Sequence, residues 1–152
     1  MKRKSRTQYA ALPYRVREAV SEVLLITSRE TGRWIIPKGW PDKRLSPRAV
    51  AILEAYEEAG VRGKIKRRAL GTYRYEKRLS AQKAVLCKVK VFLLEVERQL
   101  DHWPEHTDRT RRWLPLAEAA VLVADPELQQ LLLASSESLG RGRQVGHPPH
   151  HG

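Results

Sequence analysis

One helix, marked at both ends, constrains the fold of this chain more than any other feature. Ser46 is a typical helix-capping residue, and Pro47 fits the first helical position, where a backbone N–H is not needed. Gly60 is typical of a helix end, because glycine readily adopts the left-handed conformation found there. Apolar residues recur between these signals, so we predict a helix that spans residues 47–59.

This helix carries a cluster of acidic side chains near its end. Glu54, Glu57 and Glu58 are spaced by three and four residues, which places their carboxylates on one helix face. Like charges at this spacing repel one another unless a cation lies between them. Hard divalent ions such as Mg²⁺ prefer oxygen ligands, so the cluster is a candidate metal site. For the cluster taken alone, an ordinary solvated acidic face is the favoured interpretation.

The pattern around this helix predicts an α/β fold. Short β-branched and aromatic runs are typical of strands, and two later segments are typical of helices, the second capped by Asp125. The predicted strands cover residues 22–27, 33–36, 64–75 and 84–96, and the predicted helices cover residues 116–123 and 126–135. A polar loop is expected over residues 101–112. Strands mixed with helices in this order indicate a sheet packed between helices.

Length and apolar content fit one domain. The chain has 152 residues, of which 41% are hydrophobic, which suits a single compact core. We predict one domain over residues 1–139, with a core at about 14–135 and mobile first few residues. Residues 140–152 are expected to form a flexible basic tail, whose histidines we interpret as a chance surface cluster. These histidines are His147, His150 and His151.

Membrane and disulfide chemistry are not expected. No apolar run approaches the ~20 residues that a membrane-spanning helix needs. The single cysteine, Cys87, lies in an apolar stretch and is expected to be a buried thiol. These features favour a cytoplasmic location.

The charge of the chain indicates an anionic partner. The formal net charge is +12 and the sequence pI is about 10.3. Such a surface attracts phosphorylated small molecules, nucleic acid and anionic membranes alike. Charge alone does not separate these partners, and solubility accounts for part of it.

The acidic helix belongs to a longer motif. Residues 39–61 read GWPDKRLSPRAVAILEAYEEAGV. This segment resembles the Nudix box, Gly-x5-Glu-x7-Arg-Glu-U-x-Glu-Glu-x-Gly-U, in which U is aliphatic. Two positions depart from it, since Leu45 replaces the first glutamate and Leu53 replaces the arginine that pairs with a carboxylate of the cluster. The matching positions are Gly39, Glu54, Glu57, Glu58, Gly60 and Val61.

The resemblance implies the Nudix fold, a mixed sheet between helices, and a hydrolase that uses Mg²⁺ or Mn²⁺. It implies that Glu54 and Glu58 are the main metal ligands and that Glu57 is a further ligand or supports one. The backbone carbonyl of Lys38 would add another oxygen. We expect Glu54 to act as the general base, with Glu105 in the following polar loop as the alternative.

Within the superfamily, the chain is most similar to the diphosphoinositol polyphosphate and diadenosine polyphosphate phosphohydrolases. The similarity covers residues 14–135 and includes Thr-Ser-Arg at 27–29, Arg-Trp-Ile-Ile-Pro at 33–37 and a basic run at 108–114. It implies a small-molecule polyphosphate substrate held by basic and small residues. The residues implied in substrate binding are Arg15, Ser28, Arg29, Lys38, Gly39, Arg109 and Arg111.

Three functions remain open from the sequence. The first is a metal-dependent hydrolase of inositol pyrophosphates or dinucleoside polyphosphates, which we favour because the three glutamates persist. The second is a pyrophosphohydrolase of nucleotide sugars or RNA 5′ ends. The third is a nucleotide- or nucleic-acid-binding domain without turnover. The oligomeric state is not predicted.

Overall fold

Eight strands and three helices make up residues 5–139, the part of the chain that a computed structural model describes. The strands are β1 (Ser5–Arg17), β2 (Val20–Thr27), β3 (Trp34–Ile35), β4 (Lys38–Gly39), β5 (Val61–Ile65), β6 (Gly71–Ser80), β7 (Lys83–Gln99) and β8 (Arg111–Pro115). The helices are α1 (Pro47–Ala59), α2 (Leu116–Leu122) and α3 (Pro126–Ala134). The predicted tail and its histidines lie outside the described residues.

The strands form one mixed sheet with β1 at its centre. β1 pairs in parallel with β7 over ten residue pairs, from Ser5↔Leu86 to Tyr14↔Glu95. β1 pairs antiparallel with β2 and β4, and β7 pairs antiparallel with β5 and β6. β2 also pairs antiparallel with β3 and β8.

Helices cover both faces of this sheet. Residues 23–26 of β2 and 91–94 of β7 are buried without alternation, as expected of strands covered on both sides. Ala51, Ala55 and Ala59 of α1 pack on one face. α2 and α3 pack on the other, through side chains such as Leu128 and Leu132. The predicted fold class, a mixed sheet between helices, is confirmed.

Helix α1 begins and ends at the predicted residues. The Ser46 hydroxyl accepts a hydrogen bond from the Ala49 N–H, and Pro47 is the first helical residue. Gly60 ends the helix with φ of 66°, in the left-handed region. The cap of α3 differs from the prediction, because Asp125 occupies the capping position without a side-chain hydrogen bond to the helix.

The remaining elements correct the prediction at three places. The core begins before residue 14, since Ala10 and Leu12 of β1 are fully buried, and it reaches Leu139. The strand predicted at 64–75 is two strands, β5 and β6, that both pair with β7. The predicted polar loop ends earlier, because β8 begins at Arg111. Buried Cys87 is confirmed.

Candidate active site

A cleft of about 420 Å³ borders the end of α1 and brings most of the predicted site residues together. It lies where β4, the turn after β2 and the loop before β8 converge. The predicted residues that line it are Ser28, Arg29, Lys38, Gly39, Glu54, Glu58, Glu105 and Arg109. Three other predicted site residues, Glu57, Arg15 and Arg111, are not part of its lining.

Two of the three clustered glutamates form a close pair in this cleft. Glu58 is buried, with 7% of its surface exposed, and its Oε1 accepts a hydrogen bond of 3.3 Å from the backbone N–H of Lys38. Glu54 packs against Gly39 so closely that a Cβ at position 39 would lie 2.6 Å from the Glu54 Cδ. Glycine at position 39 therefore leaves room for the Glu54 carboxyl beside the backbone, and its own φ is not in the left-handed region.

The proton affinity of this pair is strongly perturbed. Burial raises the pKa of Glu54 to about 9, and its hydrogen bond with Glu58 and the charges of Glu58 and Glu57 add to the effect. Burial also raises the pKa of Glu58, while the hydrogen bond from Glu54 and the charges of Arg109 and Lys38 oppose it. At neutral pH, without a cation, Glu54 therefore holds a proton and shares it with the Glu58 carboxylate.

This pair fits a divalent metal better than the three-glutamate cluster predicted from spacing. Within residues 5–139, no group of three His, Cys, Asp or Glu side chains is arranged as a complete metal site. Mg²⁺, however, is commonly held by one or two carboxylates and completed by water and substrate phosphates. Two adjacent carboxylates whose proton a cation would displace match that chemistry. Glu57 contributes its charge from outside the cleft lining.

Arg109 is the cation that faces this pair. Its side chain is only 7% exposed. Its Nε donates to Glu105 Oε1 at 2.8 Å, and its Nη1 donates to the carbonyl of Thr27 at 3.0 Å. Its Nη2 lies 3.7 Å from Glu58 Oε2. Glu105 also lies 3.8 Å from the Nε of Arg29, so its carboxylate is shared between two guanidinium groups.

The loop that carries Glu105 and Arg109 is fixed to the end of α1. The last carbonyls of a helix lack partners within the helix. The Glu105 N–H donates to the Glu57 carbonyl at 3.0 Å, and Trp103 Nε1 donates to the Glu58 carbonyl at 3.1 Å. The loop thus completes the hydrogen bonding of the helix turn that carries the glutamates.

Arg111 has the same structural task, and the substrate-binding role predicted for it stays a prediction. Its Nη1 donates to the carbonyls of Ala59 and Gly60, and its Nη2 donates to the carbonyl of Leu100. Its guanidinium lies 3.9 Å from the ring centroid of Trp103. These contacts direct Arg111 to the end of α1 rather than to the cleft.

Arg15 also lies outside the cleft lining, and its predicted role in binding phosphates stays a prediction. Its Nε donates to Glu22 Oε1 at 2.8 Å across the β1–β2 pair. Its guanidinium stacks over Trp113, 4.1 Å from the ring centroid. Its charge is satisfied within the sheet surface.

Two residues that line the cleft, Gln8 and Tyr75, were not predicted from the sequence. Gln8 of β1 is buried, and its Oε1 accepts a hydrogen bond of 2.7 Å from the Tyr75 hydroxyl. The Lys38 ammonium lies 5.1 Å from the Tyr75 ring centroid. Burial lowers the pKa of Lys38, which the charges of Glu58 and Asp125 partly oppose. The sequence signal that could have identified Gln8 is the strand character of β1, which was not among the predicted strands.

The two departures from the motif are at the surface. Leu45 and Leu53 are 36% and 38% exposed, and neither lines the cleft. Because residue 53 is a leucine, the motif position at which an arginine is expected carries no charge.

Comparison with known proteins identifies the class that this fold and site define. The family model described as NUDIX domain matches residues 6–134. Because the match covers most of the chain, the chain belongs to the NUDIX domain family. The similarity to the Nudix box is thereby confirmed.

Curated relatives carry the match further. Nudix hydrolase 16, mitochondrial, of Arabidopsis thaliana is 36% identical over 134 residues, which cover 83% of this chain and 74% of the relative. Diphosphoinositol polyphosphate phosphohydrolase 3-beta of Homo sapiens is 33% identical over 140 residues, or 86% and 81% of the two chains. This confirms the predicted similarity to that group. Of four further Arabidopsis thaliana relatives, the chain spans only 48% to 62% of the length.

A solved structure shows the same fold. The binary complex of the C. elegans Ap4A hydrolase has a TM-score of 0.68 and 21% sequence identity, and the match covers 90% of this chain and 98% of that one. Among residues 5–139, no helix has the length and apolar character needed to cross a membrane.

Proposed function

We propose that this protein is a Mg²⁺- or Mn²⁺-dependent pyrophosphohydrolase that cleaves a phosphoanhydride bond of a highly phosphorylated small molecule. The observation that carries the proposal is the close pair of Glu58, which is buried, and Glu54, which is partly buried, in a cleft that Arg29, Lys38 and Arg109 also line. A site of this kind suits a cation and the phosphate oxygens that it attracts. The relatives named as hydrolases support the same activity.

Glu54 and Glu58 would hold the metal, and the Lys38 carbonyl would add an oxygen beside them. When bound, the metal neutralises phosphate oxygens and lowers the pKa of a coordinated water. The chain itself fixes the donors, since the Lys38 N–H and Arg109 hold Glu58 and the bare surface of Gly39 admits Glu54. Glu57 acts from outside the cleft, through its charge.

Glu54 is our choice for the general base that accepts a proton from the attacking water. Its carboxyl lines the cleft beside Glu58, and a bound cation would displace the proton that it holds in the metal-free state, which leaves a carboxylate able to accept a proton from water. Glu105, the alternative, lines the cleft but already binds Arg109 at 2.8 Å and lies near Arg29. Its carboxylate is therefore committed to holding other side chains.

The cleft favours a substrate rich in phosphate. Arg29 has a side chain that is 57% exposed, and Lys38, Lys77 and Arg78 also line the walls. A diphosphoinositol polyphosphate or a diadenosine polyphosphate would meet these cations. Ser28 supports them by shaping the turn, since its hydroxyl accepts from the backbone N–H of Arg33. Gly39 lines the same cleft, and its predicted part in substrate binding stays a prediction because Glu54 lies against its bare face.

One observation favours a nucleotide as the second candidate within this class. Trp40 lines the cleft and is 41% exposed, so its ring offers a surface on which a base could stack. Diadenosine polyphosphates, ADP-ribose and RNA 5′ ends would use such a surface, whereas an inositol ring would not. A cytoplasmic location stays a prediction, since three of the Arabidopsis thaliana relatives are named mitochondrial and one is named chloroplastic.

The test is a substrate panel with Mg²⁺ or Mn²⁺ that scores inositol pyrophosphates, diadenosine polyphosphates, ADP-ribose and capped or triphosphorylated RNA. We expect metal-dependent release of phosphate or mononucleotide from one class. Glu58→Gln should abolish it without loss of the fold, and Glu118→Gln, on the exposed face of α2, should not. Wild-type turnover in Glu58→Gln would refute the mechanism. Binding with steep salt dependence and no turnover would favour the binding-domain alternative.

A further inference from the structure

Position 53 of the motif lacks the arginine that would orient a carboxylate, yet Glu58 is not without a cation. Leu53 is 38% exposed and lies outside the cleft lining. We propose that Arg109 replaces the missing arginine as a positioning residue for Glu58, and that Glu105 in turn fixes Arg109. This inference rests on the proposed function, because it concerns how the same site is held.

The hydrogen bonds of Arg109 fix the direction in which its remaining nitrogen, Nη2, points. A guanidinium is planar, so two bonds made through different nitrogens fix its orientation. Nε is bound to Glu105 and Nη1 to the Thr27 carbonyl, at 2.8 and 3.0 Å. The remaining Nη2 then faces Glu58 Oε2 at 3.7 Å, which is an ion-pair distance rather than a hydrogen bond. Arg109 therefore holds Glu58 through charge and leaves Glu58 Oε2 without a direct hydrogen bond from its guanidinium.

The loop that carries Arg109 is hydrogen-bonded to the same helix turn that carries Glu58. The Glu105 N–H binds the carbonyl of Glu57, and Trp103 binds the carbonyl of Glu58 itself. These bonds set the distance between the loop and α1. An arginine that closes over a substrate would need a mobile loop and an exposed guanidinium. The loop that carries Arg109 is hydrogen-bonded to α1, and the Arg109 side chain is only 7% exposed. Arg29, with 57% of its side chain exposed, is better suited to meet phosphate.

Metal affinity separates positioning from simple electrostatics. Arg109→Gln removes a positive charge near Glu58, which by Coulomb's law alone should tighten the binding of a divalent cation. Loss of positioning has the opposite sign, because residues that orient metal ligands typically contribute about 10- to 100-fold in affinity. The direction of the change therefore decides between the two roles.

The experiment titrates Mn²⁺ into the full chain and follows free Mn²⁺ by electron paramagnetic resonance. We expect Arg109→Gln to weaken Mn²⁺ binding about tenfold or more relative to wild type. Arg112→Gln, in the same segment but exposed, is the matched control and should bind as wild type does. Circular dichroism checks that each variant is folded.

Arg109→Lys keeps the charge but lacks the planar fork, and it serves if Arg109→Gln does not fold. Positioning predicts several-fold weaker Mn²⁺ binding in Arg109→Lys, since one ammonium cannot hold Glu105, Thr27 and Glu58 together. Unchanged or tighter binding in either folded variant would overturn the role of Arg109 while leaving the proposed function in place. Absence of Mn²⁺ binding by the wild type would overturn both.

Discussion

Gly39→Ala tests whether the placement of Glu54 matters for catalysis. The new Cβ would lie 2.6 Å from Cδ, Cγ and Oε2 of Glu54, whereas ordinary contact begins at 3.4 Å. The Glu54 side chain must therefore move by about 0.8 Å, since it is the flexible partner. Gly39 is not in the left-handed region, so the backbone should accept alanine.

The expected effect follows from this displacement. Catalytic groups displaced by about 1 Å can lose about 10²-fold in rate, which corresponds to about 2.7 kcal/mol of activation free energy. We expect kcat for metal-dependent hydrolysis to fall by about that factor. Stability should change little, because glycine-to-alanine substitution at a compatible site alters the free energy of unfolding by about 1 kcal/mol or less.

Gly71→Ala is the matched control. Its Cβ would meet Leu131 Cδ1 at 2.8 Å, which is a comparable clash with a flexible side chain outside the cleft. Steady-state hydrolysis and urea unfolding of both variants give kcat and stability. A Gly39→Ala enzyme with wild-type kcat would show that the contact between Gly39 and Glu54 has no catalytic role.

Two further predictions concern stability. The raised pKa of Glu54, about 9 against its usual 4.5, means that the metal-free folded state binds more protons than the unfolded state between these values. The stability that this proton binding contributes is present at low pH and is lost as pH rises towards 9. In denaturant titrations over that range, wild type should therefore lose stability relative to Glu54→Gln. A gain of stability relative to Glu54→Gln would contradict the raised pKa of Glu54. Gly60→Ala should destabilise the protein by about 1–3 kcal/mol in urea, because φ is +66° and the Cβ would lie 2.5 Å from Trp103; an unchanged midpoint would mean that the loop adjusts freely.

Local signals account for what the sequence predicted well. The ends of α1 follow from Ser46, Pro47 and Gly60, each of which acts within one helix turn. The carboxylate pair follows from the spacing of Glu54 and Glu58. These features need no knowledge of distant segments.

Long-range pairing accounts for what was missed. β1 is central only because it pairs in parallel with β7, far along the chain, and its own sequence mixes Pro13 with charged and apolar residues. The break between β5 and β6 is a bulge of residues 66–70, whose two ends, Lys66 and Leu70, still donate their N–H groups to carbonyls of β7. The predicted loop includes the first two residues of β8, because the charged Arg111 and Arg112 do not show the apolar pattern of a strand although they pair with β2.

The arginines show why charge in a sequence does not reveal its partner. Arg15, Arg109 and Arg111 have the same predicted role, yet Arg15 binds a glutamate across two strands, Arg109 faces Glu58 and Arg111 completes a helix end. A carboxylate cluster is set by helix spacing, whereas the cation that balances it can come from any segment that reaches it in space. The loss of the motif arginine at Leu53 is therefore no evidence of lost activity. In our proposal, Arg109 supplies the positive charge that positions Glu58, from a loop bound to the same helix turn.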